Sequence, residues 1–417
     1  MICRYAVECP GCQAIIVLRV GVGIDKEQPF CFVCSRCRAP IRAKQLIWYE
    51  PKPGVRLELE EGKEVPIPEK PDQVITIHPD FPAFSNATAM TDPGGSPFVM
   101  QHILLGDRFE EFIKRLQIFR SIGANDWADL RRWMVYYLDG NWADFDRIGQ
   151  HIFGDSWPNP RVEWHRHDLI HTIFDSVFMP LLTEPVYPEM KQEWYESWSL
   201  NISAAQNIKD YAKEVVASGE IKDLQRDLFH CIELYLLNRS SLLPALPAEM
   251  YHKEAKSAIT ESRLFRDDFP ALRDLYISTY ESCHHTLTFA LAMVNISKRG
   301  NAGDFGEKCR TIKEFRKLPS TKKVDYLTAL PVWARNWPIL LDRSLRNAIG
   351  HHSARHDLRT GLLHLRQTNP IPYLQFVMKT LRLINAVLAC LTVVKMYYII
   401  VSMHGSNTIG LEGRSVI

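Results

Sequence analysis

Two pairs of closely spaced cysteines are the first residues of this chain that could do chemistry. Cys9-Pro-Gly-Cys12 and Cys34-Ser-Arg-Cys37 are C-x2-C pairs with 21 residues between them. Such a turn places two thiolates on one side of a tight knuckle, and two knuckles complete a tetrahedral metal site. The spacing predicts a zinc ribbon whose four thiolates leave no open position, so we expect the zinc to be structural. Cys31 leaves an alternative ligand set open, because Cys31 and Cys34 have the same spacing.

The residues around these cysteines are locally basic, namely Arg4, Arg36, Arg38, Arg42 and Lys44. Clustered positive charge suits an anionic partner such as nucleic acid. A protein-binding surface and a plain solvated face are equally consistent with it.

A second candidate site is the segment Arg346-Asn347-Ala348-Ile349-Gly350-His351, near the end of the chain. Cleavage of RNA without a metal needs a base for the ribose 2′-hydroxyl, a cation for the phosphorane charge and an acid for the leaving 5′-oxygen. A histidine transfers protons at neutral pH, and an arginine makes bidentate contacts with phosphate. This chemistry predicts catalytic roles for Arg346 and His351, and Asn347 lies beside them in the motif.

Helix geometry limits how these three residues cooperate. Asn347 and His351 are spaced i and i+4 and share a helix face. Arg346 and His351 are spaced i and i+5, about 140° apart around the axis. We therefore expect a homodimer, in which residues from two chains combine across a two-fold axis.

The motif resembles the R-x4-6-H signature of HEPN ribonuclease domains, in which many members have Asn after the Arg. The resemblance extends at fold level over residues 200–403, where a polar turn, a short strand and a long helix follow the motif. It implies an α-helical bundle that dimerises, catalytic Arg and His, no cofactor for catalysis, and RNA as substrate. It also implies a toxin or antiviral defence effector, with an antitoxin or other regulatory protein as a further partner.

A non-enzymatic adaptor is the alternative function. In that case the ribbon and the helical bundle bind nucleic acid or protein, and the motif helix is only a dimer interface. HEPN folds that bind without cutting also exist.

Other histidines and aromatic residues are predicted to be structural. His165, His167 and His171 have no glutamate placed as in a metalloprotease helix, so we interpret them, like His284 and His285, as a polar helix face. His352 and His356 flank the motif and could contact RNA or cap a helix. Four aromatic residues recur at helical spacing and predict core packing: Trp127, Trp133, Tyr136 and Tyr137.

Composition sets the broad class. The chain has 417 residues, 46% hydrophobic and 24% charged, with a formal net charge of +2, as in an ordinary globular protein. We predict a mainly α protein with a C-terminal helical bundle, a small N-terminal β zinc ribbon and a Pro-rich connector. The predicted regions are a ribbon at 1–50, a connector at 51–100, a helical middle region at 101–200, a HEPN-like domain at 201–403 and a flexible tail at 404–417.

One stretch, 383–403, is long and apolar enough for a membrane span. It contains Asn385 and Lys395, and a lysine near the centre of a span costs about 3 kcal/mol. We therefore expect a buried core helix. Near the N-terminus, Glu8, Cys9 and Cys12 stand where a signal peptide needs an apolar core, so the expected location is the cytoplasm.

Overall fold

The computed structural model of the protein is mainly helical, with small β-sheets near the N-terminus. It describes residues 1–84, 96–124, 127–158, 160, 162–182, 184–199, 205–251, 257–306, 309–350, 353–366 and 368–402. The predicted fold class is confirmed at this level: a helical C-terminal region follows an N-terminal β module. The predicted tail at 404–417 lies outside the described residues.

The N-terminal module contains two sheets, of strand order β6-β1-β2-β7 and β3-β4-β5. The strands are β1 Ile2–Glu8, β2 Ile15–Gly21, β3 Glu27–Val33, β4 Pro40–Trp48, β5 Gly54–Leu59, β6 Lys63–Val65 and β7 Gln73–Ile77. Consecutive strands β1 and β2, and then β3, β4 and β5, pair antiparallel, whereas β7 pairs parallel with β2. Side chains of both sheets share one small hydrophobic core.

Residues 54–77 therefore differ from the predicted connector, because they belong to the module. Strand β5 extends the second sheet beside β4, and β6 and β7 flank the first sheet. Leu57 of β5 and Ile75 of β7 are buried in the shared core. The prolines of this region lie between the strands, where no ladder hydrogen bond is lost.

Seventeen α-helices follow among the described residues. The first seven are α1 Pro97–Leu105, α2 Phe109–Ala124, α3 Trp127–Asp139, α4 Trp142–Phe153, α5 Glu163–Phe178, α6 Val186–Ser199 and α7 Ala205–Ala217. The next five are α8 Glu220–Leu237, α9 Arg239–Leu242, α10 Ala245–Glu249, α11 Ala258–Glu261 and α12 Phe269–Arg299. The last five are α13 Ile312–Lys317, α14 Ser320–Val324, α15 Pro331–Leu340, α16 Arg343–Gly350 and α17 Tyr373–Ser402.

Short strands join these helices to each other and to the module. Strand β8 Ala83–Phe84 pairs with β9 Ser262–Arg263, which precedes α12. Between α16 and α17 the chain forms a three-stranded sheet of β10 Arg355–Asp357, β11 Leu362–Leu365 and β12 Thr368–Pro372. The predicted strand-like stretch after the motif corresponds to β11.

Helix α17 packs against α5, α8 and α12, among other helices. It is the one helix of the described residues that is long and apolar enough to cross a membrane, and 78% of its most apolar window is buried inside the fold. Its lysine, Lys395, donates a hydrogen bond of 2.7 Å to Oδ1 of Asp168. This environment agrees with the predicted core helix.

One hydrophobic core includes the helices on both sides of residue 200. It contains Trp133 of α3, Phe174 of α5 and Trp194 of α6 together with residues of α8, α12 and α17. Within the described residues, the predicted middle region and the predicted HEPN-like domain therefore share a core.

The sequence NWPILLDRSLRNAIGHH, residues 336–352, predicts one continuous helix, but the structure divides it. Helix α15 ends at Leu340, and α16 begins at Arg343. Asp342 lies between them, and its Oδ1 accepts a hydrogen bond from the backbone N–H of Leu345. An aspartate in this position caps the following helix, which explains the break.

The module and the helical region are joined by polar contacts. Arg42 forms an ion pair with Asp267, and Arg239 forms one with Asp25. The backbone N–H of Cys31 donates a hydrogen bond of 2.9 Å to the carbonyl oxygen of Phe265.

Candidate functional site

The four predicted cysteine ligands lie together. All four Sγ atoms are within 4.8 Å of one another. The Sγ atoms of Cys9 and Cys37 are 3.4 Å apart, and those of Cys12 and Cys34 are 3.6 Å apart. A tetrahedral zinc with Zn–S bonds of about 2.3 Å has sulfur–sulfur edges of about 3.8 Å. The cluster therefore has the dimensions needed to bind one metal ion.

The two knuckles have the same backbone structure. The residue after each second cysteine, Gln13 or Arg38, has a positive φ, of 61° and 65° respectively. Its N–H donates a hydrogen bond of 2.9 Å to the carbonyl oxygen of the first cysteine, Cys9 or Cys34. This equivalence explains why two C-x2-C sequences form matching halves of one site.

Cys31 is excluded from the cluster by its position in a strand. It pairs with Arg42 within the β3–β4 ladder and is 2% exposed. Burial raises the pKa of its thiol to about 11. The structure thus places Cys37, rather than Cys31, with the other three cysteines.

The cluster favours a thiolate at Cys34. Burial acts to raise the pKa of Cys34, but N–H groups of Cys37 and Arg36 and the thiols of Cys12 and Cys9 outweigh it and lower the pKa to about 7. Thiolate is the form that binds metals.

The basic residues around the cysteines divide into two groups. Arg42 is paired with Glu61 and Asp267, and Lys44 is paired with Glu27. Arg36 and Arg38, beside the second knuckle, are exposed. The predicted basic face is therefore concentrated near that knuckle.

Helix α16 contains residues 346–350 of the predicted RNA-cleavage motif. Leu345 and Ile349, spaced i and i+4, are buried and fix one face of the helix against the core. Asp342, at the N-terminus of the helix, also accepts a hydrogen bond of 2.6 Å from Lys379 of α17. These contacts leave Arg346 and Asn347 half-buried.

The guanidinium of Arg346 has defined partners. Its Nε lies 2.7 Å from Oε1 of Glu281 on α12, and Nη2 donates to the same oxygen. Nη1 donates to Oδ1 of Asn347 at 3.3 Å. The Arg346 Cζ atom lies 6.0 Å from the ring centre of Tyr280, within the range of a cation–π contact.

Arg346 extends towards the C-terminal end of α16. A Cβ atom added to Gly350 would lie 4.0 Å from the Arg346 Cζ atom. Gly350 directly precedes His351, so the guanidinium lies beside the residue that leads into the predicted proton-transfer group. His351 and His352 themselves lie outside the described residues.

Positive charge and histidine surround this helix end. Burial lowers the pKa of His284 to about 3, and the charges of Lys323 and Arg346 act in the same direction. Burial also lowers the pKa of Lys323; Glu281 opposes that shift and Arg316 adds to it. The described residues around the site therefore combine one carboxylate, Glu281, with two cations, Arg346 and Lys323, which leaves a small positive excess that favours an anion.

Glu281, His284 and Lys323 were not predicted as part of this site. Glu281 precedes Arg346 by 65 residues. No local pattern links them: the packing of α16 on α12 brings Glu281 and His284 to the motif helix, and Lys323 is on a third helix, α14.

The prediction of a polar helix face is wrong for several histidines. His167 and His171 are each 4% exposed, and His284 is 6% exposed. The Tyr137 hydroxyl lies 2.5 Å from Nδ1 of His167, whereas His171 has no hydrogen-bond partner among the described residues. Burial lowers the pKa of both His167 and His171.

The predicted core aromatics largely have that role. Trp133 and Tyr137 are buried, and Tyr136 is half-buried; the side chain of Trp127 lies outside the described residues. His356 stacks on Tyr373, with ring centres 3.8 Å apart, and burial lowers its pKa to about 4.

Comparisons with protein-family models, with curated proteins and with solved structures found no match for this chain. The functional argument therefore rests on the two sites themselves.

Proposed function

We propose that the protein is a metal-independent endoribonuclease whose catalytic residues are Arg346, Asn347 and His351. The reaction is attack of the ribose 2′-hydroxyl on the adjacent phosphate, which releases the 5′-oxygen of the next nucleotide. The observation that supports the proposal is the placement of the Arg346 guanidinium beside Gly350, the residue that precedes His351 in the sequence.

Arg346 supplies the positive charge. Its contacts with Glu281 and Asn347 hold the guanidinium in one orientation before substrate arrives. A preorganised cation stabilises charge that develops on the phosphorane at little cost in reorganisation. Asn347 acts here by holding Arg346.

His351 supplies proton transfer, because its ordinary pKa lies close to neutral pH. Its i, i+5 spacing from Arg346 supports a homodimer in which the two motif helices approach across a two-fold axis. RNA would then bind between the two copies.

The proposal is tested by the chemistry of the products. In EDTA, wild-type protein should cut a single-stranded RNA and leave a 2′,3′-cyclic phosphate. A matched oligonucleotide with 2′-deoxyribose at the cut position should resist, since it lacks the attacking group. Cleavage of that oligonucleotide, or a requirement for added magnesium, would contradict the mechanism.

We also propose that the ion bound by Cys9, Cys12, Cys34 and Cys37 is zinc with a structural role. The donor set fits, because four thiolates within tetrahedral distances are typical of structural zinc sites and fill the coordination shell. These residues stabilise the module and leave the chemistry to the helical region.

A non-enzymatic adaptor is the second candidate function, and one specific observation favours it. Arg346 already has a carboxylate partner in Glu281, which reduces the net charge available to a phosphate. In the adaptor, nucleic acid or protein would bind without RNA being cut, and the motif helix would serve only as a dimer interface.

A further inference from the structure

A cleft of about 500 Å³ lies where the N-terminal module meets the helical region. Its walls are formed by three parts of the fold. The second cysteine knuckle contributes Cys34, Ser35 and Arg38, the strand β7 contributes residues 73–76, and the helical region contributes residues around Arg263 and Arg359. The volume is typical of small-molecule sites.

Three arginines from separate segments line this cleft. Arg38 follows the knuckle, Arg263 is in β9, and Arg359 lies between β10 and β11. Among the described residues, no carboxylate forms an ion pair with any of the three. Convergent positive charges repel one another unless an anion neutralises them, so the cleft has the charge of an anion site.

The other arginines at the same junction show the contrast. Arg42, Arg239 and Arg266 form ion pairs with Asp267, Asp25 and Asp268, respectively. The first two pairs join the module to the helical region, and Arg266 also donates a hydrogen bond to the carbonyl oxygen of Pro79. The three arginines that line the cleft differ from these paired arginines in having no carboxylate within ion-pair distance among the described residues.

The remaining walls provide groups that can contact a nucleoside. Phe84 and Phe265 offer aromatic rings, on which bases stack. β7 is the outer strand of its sheet among the described residues, so its backbone at 73–76 offers hydrogen-bonding groups along one edge. Thr76, on the same wall, has a buried hydroxyl with no partner among the described residues.

We propose that this cleft binds a nucleoside phosphate, with the arginines on the phosphate and a phenylalanine ring on the base. The ligand is a free nucleotide or one unit of a single-stranded RNA, which share this chemistry. The inference deepens the proposed function by assigning an RNA-binding surface outside the motif, but it concerns binding alone. It stands even if the motif cuts nothing.

The knuckle and the sheet after the motif both touch this ligand site. Gln73 lines the cleft, and its Oε1 accepts a hydrogen bond of 2.9 Å from the backbone N–H of Ser35 in the knuckle. Arg359 belongs to the β10–β11 turn, which follows α16 in the chain. A bound ligand would therefore contact both the metal module and the segment that follows the catalytic motif.

The test is direct binding by the full chain. The probes are a fluorescein-labelled 2′-O-methyl RNA, which cannot be cut by 2′-hydroxyl attack, and unlabelled AMP and inorganic phosphate as competitors. Arg263→Ala and Arg359→Ala should each weaken RNA binding roughly tenfold and lower the salt dependence by about one charge. Arg56→Ala is the control for the loss of one positive charge, since Arg56 is an exposed arginine of the N-terminal module that does not line the cleft.

The competitors distinguish the two sources of ligand. If AMP displaces the labelled RNA at a concentration well below the concentration of phosphate that does so, the site binds a free nucleotide. If only longer RNA displaces it, the ligand is one unit of a strand. Phe84→Leu should weaken the RNA or AMP and leave phosphate unchanged. Wild-type affinity for both RNA and AMP in Arg263→Ala and Arg359→Ala, with unchanged circular dichroism, would overturn the proposal. If phosphate and AMP compete equally well, the base does not contribute to binding, and the proposed stacking on phenylalanine is wrong.

Discussion

Arg346 donates hydrogen bonds from two guanidinium nitrogens to a single carboxylate oxygen of Glu281, with its Nε 2.7 Å from that Oε1 atom. The pair joins the motif helix α16 to α12, 65 residues earlier in the chain. The Glu281 side chain is 52% exposed, and an exposed ion pair contributes little to stability. Its main effect is therefore on where the guanidinium lies.

The first prediction distinguishes two effects of Glu281 on Arg346: the hydrogen bonds that position the guanidinium, and the negative charge that neutralises it. Glu281→Gln keeps an oxygen that accepts from Arg346, so RNA cleavage should remain within a few-fold of wild type. Glu281→Ala removes the acceptor, and the misplaced guanidinium should lower the single-turnover rate roughly 10- to 100-fold. Equal rates for Glu281→Ala and wild type would show that Glu281 does not position Arg346.

The second prediction concerns the cysteine cluster. Purified protein should contain one zinc per chain, and Cys12→Ser should lose it and make residues 1–84 sensitive to protease. Cys31→Ser is the control, because Cys31 is a buried thiol of the same module that lies outside the cluster. Metal analysis that finds full zinc in Cys12→Ser, or none in wild type, would reject the site.

A third prediction follows from the buried histidine beside the site. The pKa of His284 in the folded protein is about 3, below the ordinary value of 6.5. Unfolded chain therefore binds a proton that the folded chain does not, so stability is full above pH 6.5 and is lost as pH falls towards 3. At pH 5 this histidine alone lowers the free energy of unfolding by about 2 kcal/mol.

Urea unfolding at pH 7 and pH 5 measures that loss. His284→Phe, whose ring can pack between Tyr280 and Trp337, should lose about 2 kcal/mol less than wild type over this interval. His230→Ala changes an exposed histidine and should keep the wild-type difference. If His284→Phe also keeps it, His284 is not held neutral in the fold.

The fourth prediction is the oligomeric state. The i, i+5 spacing of Arg346 and His351 leads us to expect a homodimer through the helical region. Light scattering at micromolar concentration should give twice the chain mass of 48.1 kDa. A monomeric mass at that concentration would require one chain to form the whole site.

Some of these features could be predicted from the sequence because they depend on neighbours in the chain. The C-x2-C spacing of Cys9 and Cys12 is a local backbone property, and the apolar run of α17 is visible without any structure. The sequence favours Cys37 over Cys31 because the strand-like residues PFCFV contain Cys31, and the β3–β4 register, which places Cys31 opposite Arg42, agrees with that preference.

Other features depend on contacts that no short pattern encodes. The alternation in VRLELE and VITIH allows short strands within the predicted connector, and β5 and β7 form there. That these strands belong to the module could not be predicted, because β7 pairs with β2, which lies far earlier in the chain. His171 and His284 have the sequence setting of polar helix residues, but neighbouring helices enclose them. Glu281 became part of the site only through the packing of α12 on α16.

Single-turnover cleavage of RNA in EDTA, with Arg346→Ala and His351→Ala compared with wild type, tests the central claim most directly. Each variant should cut at least 100-fold more slowly. Proton transfer by a placed residue is worth roughly 10²–10⁴ in rate, and electrostatic stabilisation of developing charge is worth roughly 10²–10³. Arg335→Ala, which removes one positive charge from α15, is the control, and its cleavage rate should stay within about twofold of wild type. The thermal unfolding midpoints of all variants should match that of wild type, since exposed ion pairs contribute little to stability. Undiminished cleavage by His351→Ala would contradict the account, and the motif would then be an ordinary surface helix.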